Sequence, residues 1–255
     1  MRTAIIASKK DPAGMNILNS LKNLDLTKYD AEIYEIQEEL IYVENIDKKI
    51  KSDIFIFASH HQSKEGIHSL SCHAPGNWGK AEAGGIDNQL CFTNAVFLKE
   101  IFLLLNQKNT LKEFQVTMEC THHGPYLEKP CFFIEIGSDA EQWNNQEAGS
   151  IIAEVIIEFL KRDNDFKEYE VAVALGGTHY LATLNKIQLN SNIAIGHTCP
   201  KHQLQNLNRD MLLQAMEKTI PKPDFVLLDW KGLGKEKQRI LKIIEELKIK
   251  RSDKL

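Results

Sequence analysis

The chain contains no run of about eighteen uncharged apolar residues, so no segment is suited to span a membrane as a helix. Cysteine is sparse and odd in number, five residues without a repeated C-x-x-C pair. That pattern argues against a disulfide scaffold and fits a reduced, cytoplasmic chain. No internal repeat, low-complexity tract or linker divides the sequence, and residues 1–255 read as a single domain. Nor is there an excess of positive charge: 31 basic and 35 acidic residues leave a net charge of −4, which does not advertise nucleic-acid binding. The opening segment, Met1 to Ser8, turns polar at Lys9-Lys10; it is too short for a signal peptide and reads as a strand. Short metal signatures such as H-E-x-x-H are also missing, so any metal site must be assembled from distant segments.

What is present is a set of short apolar runs that end in histidine. Ile54 to Ser59 leads into His60-His61, and Val116 to Cys120 into Thr121-His122-His123. Val171 to Leu175 leads into Gly176-Gly177-Thr178-His179, and Ile193 to Gly196 into His197-Thr198-Cys199. An apolar run closed by Gly or a polar residue reads as a buried strand and its exit loop, and ligand crevices in open α/β sheets lie beyond such exits. Four strands are therefore expected to bring imidazoles to one rim.

Elements of helical period separate the strands. Asp11-Pro12 reads as an N-cap with proline at the first helical position. Helices are expected at about 88–105, 147–161, 201–218 and 235–249, giving an α/β fold with a mainly parallel sheet and some antiparallel character around residues 116–136. Residues 60–87 lack apolar periodicity and read as a long loop, a lid or substrate-facing wall over the site. Residues 235–255 form a basic helix and tail. A solvated helix face is the ordinary reading of such a run, and contact with phosphates is the functional one.

The candidate ligands are His61, Glu119, Cys120, His122, His123, Glu135, His179, His197 and Cys199. Neighbours on an extended chain point opposite ways, so one histidine of each His-His pair is expected to reach the site, with His61 and His123 favoured. Glu119 reads either as a buried carboxylate with a cationic partner or as an edge residue facing water. Glu135, set among Phe132, Phe133, Ile134 and Ile136, is expected to be buried, as a general base or as support for a ligand. Cys120 and Cys199 also read simply as buried apolar residues. The Gly176-Gly177 turn would suit an oxyanion.

Taken in order, Ala58 to His61, Ser71 to Gly79, Glu119 to Pro125, Phe133 to Ser138 with Trp143, Gly176 to Tyr180 and Gly196-His197 resemble the archaeal and plant type of D-aminoacyl-tRNA deacylase. The similarity spans nearly the whole chain, and the ordered set is more specific than any single piece. The resemblance implies hydrolysis of the ester joining a D-amino acid to the terminal ribose of tRNA. It also implies zinc (Zn2+), a monomer, and a three-layer α/β/α fold akin to peptidyl-tRNA hydrolases and nucleoside phosphorylases. On that reading His61, His123, His179 and His197 hold zinc, which lowers the pKa of a water to about 7. Glu135 or His123 moves the proton, and the Gly176 and Gly177 amides stabilise the oxyanion. His73, Asn77, Trp78, Thr178 and Lys64 are the expected substrate contacts, with Lys231 to Lys254 and Lys80 available to the acceptor stem. Three rivals stand beside it: a metal-dependent peptidase or amidohydrolase acting on a small amide, a non-catalytic RNA- or nucleotide-binding protein with structural zinc, and a metal-free hydrolase using a single histidine, as in peptidyl-tRNA hydrolase.

Overall fold

The computed structural model describes residues 1–162 and 165–253; Lys254, at the end of the basic run, lies outside the described residues. Its strands, numbered along the chain, form two larger sheets rather than the one expected. The first sheet holds β1 (Thr3–Ser8), β2 (Ala31–Ile36), β3 (Ile54–Gln62), β4 (Ser69–His73), β6 (Gln115–Met118) and β7 (Cys131–Ser138), in the order β2-β1-β3-β7-β4-β6. The second holds β8 (Glu170–Leu175), β9 (Ile193–Cys199), β11 (Phe225–Leu228) and β12 (Arg251–Ser252), all parallel, in the order β12-β11-β8-β9. A two-stranded pair, β5 (Thr93–Asn94) with β10 (Thr219–Ile220), completes the set. The fold is α/β, with helices flanking mostly parallel sheets.

In the first sheet only β4 runs against its neighbour, pairing antiparallel with β7 and parallel with β6. The antiparallel character read near residues 116–136 is thus real, but β4 stands between the two strands thought to produce it. β1 and the apolar part of β3 are buried on both faces, as parallel strands covered by helices must be.

The helices are α1 (Pro12–Lys22), α2 (Ala95–Lys108), α3 (Ala140–Trp143), α4 (Gln146–Lys161), α5 (Ala182–Asn190), α6 (Arg209–Glu217) and α7 (Lys237–Glu246). Asp11 caps α1 as expected, its Oδ1 accepting the Gly14 amide at 2.9 Å. Gly14 lets α1 press onto β3; a Cβ there would lie 2.5 Å from the Ala58 carbonyl oxygen. Helix α2 starts at its Asn94 cap, later than expected, because Leu90 to Phe92 run on into β5. It packs against both β4 and β9, between the two sheets, which explains why it is apolar almost all round. Even Lys99 is buried on it, its ammonium held by the Ser191 carbonyl at 3.1 Å and by that of Gln188.

One segment differs from its sequence reading. Residues 60–87 are not one long loop: β3 continues to Gln62, and β4 is inserted between β7 and the edge strand β6. The C-terminal helix α7 buries Ile240 and Ile244 in the core of the second sheet and spends the Arg239 guanidinium on the carbonyls of Leu204 and Leu207, while Lys235, Lys242, Lys248 and Lys250 stay exposed, as the reading of a solvated basic face expected. All five cysteines are free and buried, shared among three core clusters: Cys72 and Cys120, Cys199, and Cys91 with Cys131. No described helix is long and apolar enough to cross a membrane.

Candidate active site

Beyond the carboxyl ends of β1, β3 and β7 opens a cleft of about 860 Å³. Its wall carries Ser8, Asp11, Ser59, His60, Lys64 and Tyr180, and its floor reaches His61, His122, His123, Glu135 and His179. The floor is a lattice of imidazoles. Ring centroids of His73 and His122 are 4.2 Å apart, His122 and His123 4.3 Å, His122 and His179 4.7 Å, and His61 and His179 5.4 Å.

Three of these rings are oriented in the same manner. The Nδ1 of His73 lies 3.2 Å from the Ala74 carbonyl, that of His122 2.8 Å from Cys120 O, and that of His123 2.6 Å from Gly124 O. A carbonyl accepts only, so each Nδ1 carries the proton and each Nε2 presents a bare lone pair. Burial keeps the rings neutral, holding His73 down at about 4 and His123 at about 3, with His122 well below the usual imidazole range. Ligand atoms of the three converge within 4.8 Å. The strand-alternation argument fails at His122-His123 because His123 has φ 44°, a left-handed turn that brings both rings to one side.

Two carboxylates lie against these rings. Glu119 sits just past β6 at the sheet edge, yet its side chain is fully buried. Its Oε2 accepts from His179 Nε2 at 2.8 Å and His61 Nδ1 at 3.1 Å, and stands 3.7 Å from His122 Nε2. Burial alone would push the Glu119 carboxyl up, but the hydrogen bonds from His179 and His61 hold it well below the usual carboxylate range. Burial tends to lower His61 and His179, and Glu119 overcomes this and leaves both raised. Glu135, on β7, has the opposite balance: burial, with the charge of Glu119 nearby, pushes it up to about 8. Glu119 Oε1, Glu135 Oε2 and His73 Nε2 are buried without a hydrogen-bond partner. Orphaned acceptors facing one another are costly unless a cation lies among them, so this donor set suits a divalent metal.

The wall is organised by Asp11. Besides capping α1, it accepts at Oδ2 from Ser59 Oγ at 2.9 Å and from the His60 amide at 3.0 Å, and it lies 2.9 Å from His60 Nδ1. The His60 ring rests on Trp143, whose Nε1 donates to the His61 carbonyl at 3.0 Å.

Comparison with known proteins decides the family. The family model described as D-aminoacyl-tRNA deacylase matches residues 48–252. The chain belongs to that family. It is 37% identical over 265 residues to the D-aminoacyl-tRNA deacylase of Thermococcus kodakarensis, covering 95% of this chain and 96% of that one. The Pyrococcus abyssi D-aminoacyl-tRNA deacylase is 37% identical over 263 residues, with the same coverage. The Archaeoglobus fulgidus D-aminoacyl-tRNA deacylase is 32% identical over 255 residues, covering 93% of this chain and 90% of that one. A crystal structure described as a conserved protein of unknown function superposes with a TM-score of 0.88 at 31% identity, covering 98% of this chain and 94% of that one.

Within this D-aminoacyl-tRNA deacylase family chain, the expected metal ligands His61, His123 and His179 all line the cleft but fall in different groups, His61 and His179 around Glu119 and His123 with His73 and His122, and His197 lies away from them. It is fully buried, its Nε2 2.9 Å from Cys91 O and its Nδ1 3.2 Å from Thr121 Oγ1, so both nitrogens are engaged away from the cluster. His73, expected to touch substrate, is buried behind the floor and belongs with the imidazoles instead. Asn77 and Trp78 are also structural: Asn77 Nδ2 donates to Gly84 O at 2.9 Å, and Trp78 Nε1 to Thr198 O at 3.1 Å. The Gly176 amide donates to Cys199 O at 2.9 Å, which removes it from any oxyanion role. Gly177 and Thr178 line a second crevice beside His179, while Lys64 lines the main cleft as expected. The sequence reading placed His122 second to His123 and left Glu119 undecided; the signal for both was their position next to an apolar run in Glu119-Cys120-Thr121-His122-His123. The variant His197→Ala is expected to lose about 3 kcal/mol of stability through cavity and lost hydrogen bonds, with any capacity to bind a divalent metal unchanged. Weaker metal binding in a titration without a fall in Tm would return His197 to the candidate ligand set.

Proposed function

We propose that the chain hydrolyses the ester of D-aminoacyl-tRNA, releasing a free D-amino acid and tRNA, with zinc as cofactor. The observation that carries this reading is the convergence of neutral Nε2 lone pairs and two buried carboxylates on the floor of an open cleft. The named activity of the similar proteins supplies the substrate.

His73, His122 and His123 would hold the metal through Nε2, and the His61–Glu119–His179 trio meets them at Glu119. Bound there, zinc would supply Lewis acidity, polarising the ester carbonyl and making water a nucleophile near neutral pH. The chain's own residues supply the rest. The Ala74, Cys120 and Gly124 carbonyls fix the ring orientations. Glu119 fixes His61 and His179, and Tyr180 Oη steadies His61 Nε2 from 3.0 Å. Glu135, buried beside His73 Nε2 at 3.6 Å and reaching the cleft, would take and return the proton once a bound cation has drawn its raised carboxyl back down. The amino acid occupies the cleft between the floor and the Asp11–His60–Trp143 wall.

Release of D-tyrosine from charged tRNA is expected to stop on dialysis against chelator and to return on adding zinc. Full turnover by protein shown to be metal-free would overturn the scheme. Turnover of small amides without RNA would instead favour a peptidase or amidohydrolase.

A further inference from the structure

The second sheet has a carboxyl-edge crevice of its own. Beyond the ends of β8, β9 and β11 lies a hollow of about 530 Å³, lined among others by Thr178, His179, Lys201, His202, Gln205 and Lys235. His179 lines both this hollow and the main cleft, so the two meet at an imidazole of the cluster. Their charge differs. The main cleft mixes Lys10 and Lys64 with Asp11, Glu39 and Glu65. The smaller hollow exposes Lys201 and Lys235, and its one acidic group, Glu236, is paired with Arg239 at 2.8 Å. The turn that opens it is fixed by the main chain: the Gly176 amide donates to Cys199 O, and the Lys201 amide to Gly177 O, both at 2.9 Å.

We propose that this second crevice binds the sugar–phosphate strand at the 3′ end of the tRNA, so that the ester lies across His179 with the amino acid in the larger cleft. The assignment rests on the reading given under Proposed function. An ester substrate has two halves that must leave the reacting bond in different directions, and here one half is a polyanion. The hollow with two ammonium groups and a neutralised carboxylate receives it, since phosphate contacts position a nucleic acid through Lys and Arg.

The test is steady-state hydrolysis of D-tyrosyl-tRNA across a salt series by wild type and the Lys201→Glu/Lys235→Glu variant. The variant is expected to raise KM at least tenfold at low salt. Its dependence of log KM on log salt should flatten by about one to two, since each single-strand phosphate contact contributes about 0.7. The single variants Lys201→Gln and Lys235→Gln, which only remove charge, should each take about half of that change. Lys10→Glu/Lys64→Glu is the comparison for the larger cleft. If that pair, and not Lys201/Lys235, flattens the slope, the polyanion lies on the other side and the assignment falls. Wild-type turnover with an unchanged slope in the Lys201/Lys235 variants also overturns it, alone. Absence of wild-type turnover sinks the parent reading together with it.

Discussion

Glu119→Gln is expected to lower kcat/KM on D-aminoacyl-tRNA by more than about a hundredfold and to reduce bound zinc. Loss of a mere supporting partner around a metal costs roughly ten- to a hundredfold in affinity or activity, and Glu119 does more than support. Its Oε2 alone touches His179 and His61 and approaches His122, so one side chain ties the two halves of the imidazole lattice together. The amide keeps the shape but removes the charge that offsets burial of two raised imidazoles. The fold itself should survive, because His61 and His179 can shed their protons once the carboxylate is gone and stay as neutral rings rather than buried unpaired cations. Kinetics, metal analysis and a thermal melt on one preparation check all three parts. More than about a tenth of wild-type activity with full zinc would remove Glu119 from the site.

Gly124→Ala is expected to cost heavily in stability. A Cβ at Gly124 would lie 2.3 Å from the Gly85 amide nitrogen, 2.3 Å from the Ile41 carbonyl oxygen and 2.5 Å from the Gly84 carbonyl carbon. All three are backbone atoms, from two separate segments, so no side chain can swing aside. The loss should be about 3 kcal/mol, the upper end for overpacking, and for a chain of this size that is a fall in Tm of about 6–12 °C. Activity should fall with it, because the Gly124 carbonyl holds His123. Gly66→Ala is the control: its φ of 64° imposes strain, but nothing lies within 4 Å. It should cost only about 1–2 kcal/mol. Equal Tm shifts for the two variants would show that the three-way backbone contact is not tight.

Much of this was legible in the sequence where one rule acted alone. Asp11-Pro12 announced α1, the unbroken apolar run Ile54 to Ala58 announced a central strand, and histidines at strand exits announced the cleft floor. Strand β4 was hidden because its buried residues include Ser69, Ser71 and His73, which carry no hydrophobic period. Burial of those polar groups depends on partners far along the chain, and spacing does not encode partners. His197 followed the same strand-exit pattern as the others. It was misread because the loop atoms that engage it, Cys91 O and Thr121 Oγ1, come from elsewhere. The division into two sheets was likewise invisible, since it rests on α2 packing on both sides.

The free thiols give the molecule a built-in record of its own opening. Three of the four core clusters hold at least one cysteine, and burial pushes Cys72, Cys120, Cys131 and Cys199 above the ordinary thiol range. At those four sulfurs a folded chain therefore offers alkylating reagents neither access nor thiolate. Labelling at Cys199 reports separation of the second sheet from its helices, and labelling at Cys72 or Cys120 reports loss of the layer beneath the imidazoles. Whether the protein comes apart as one unit or layer by layer is thus written in the order in which those sulfurs react.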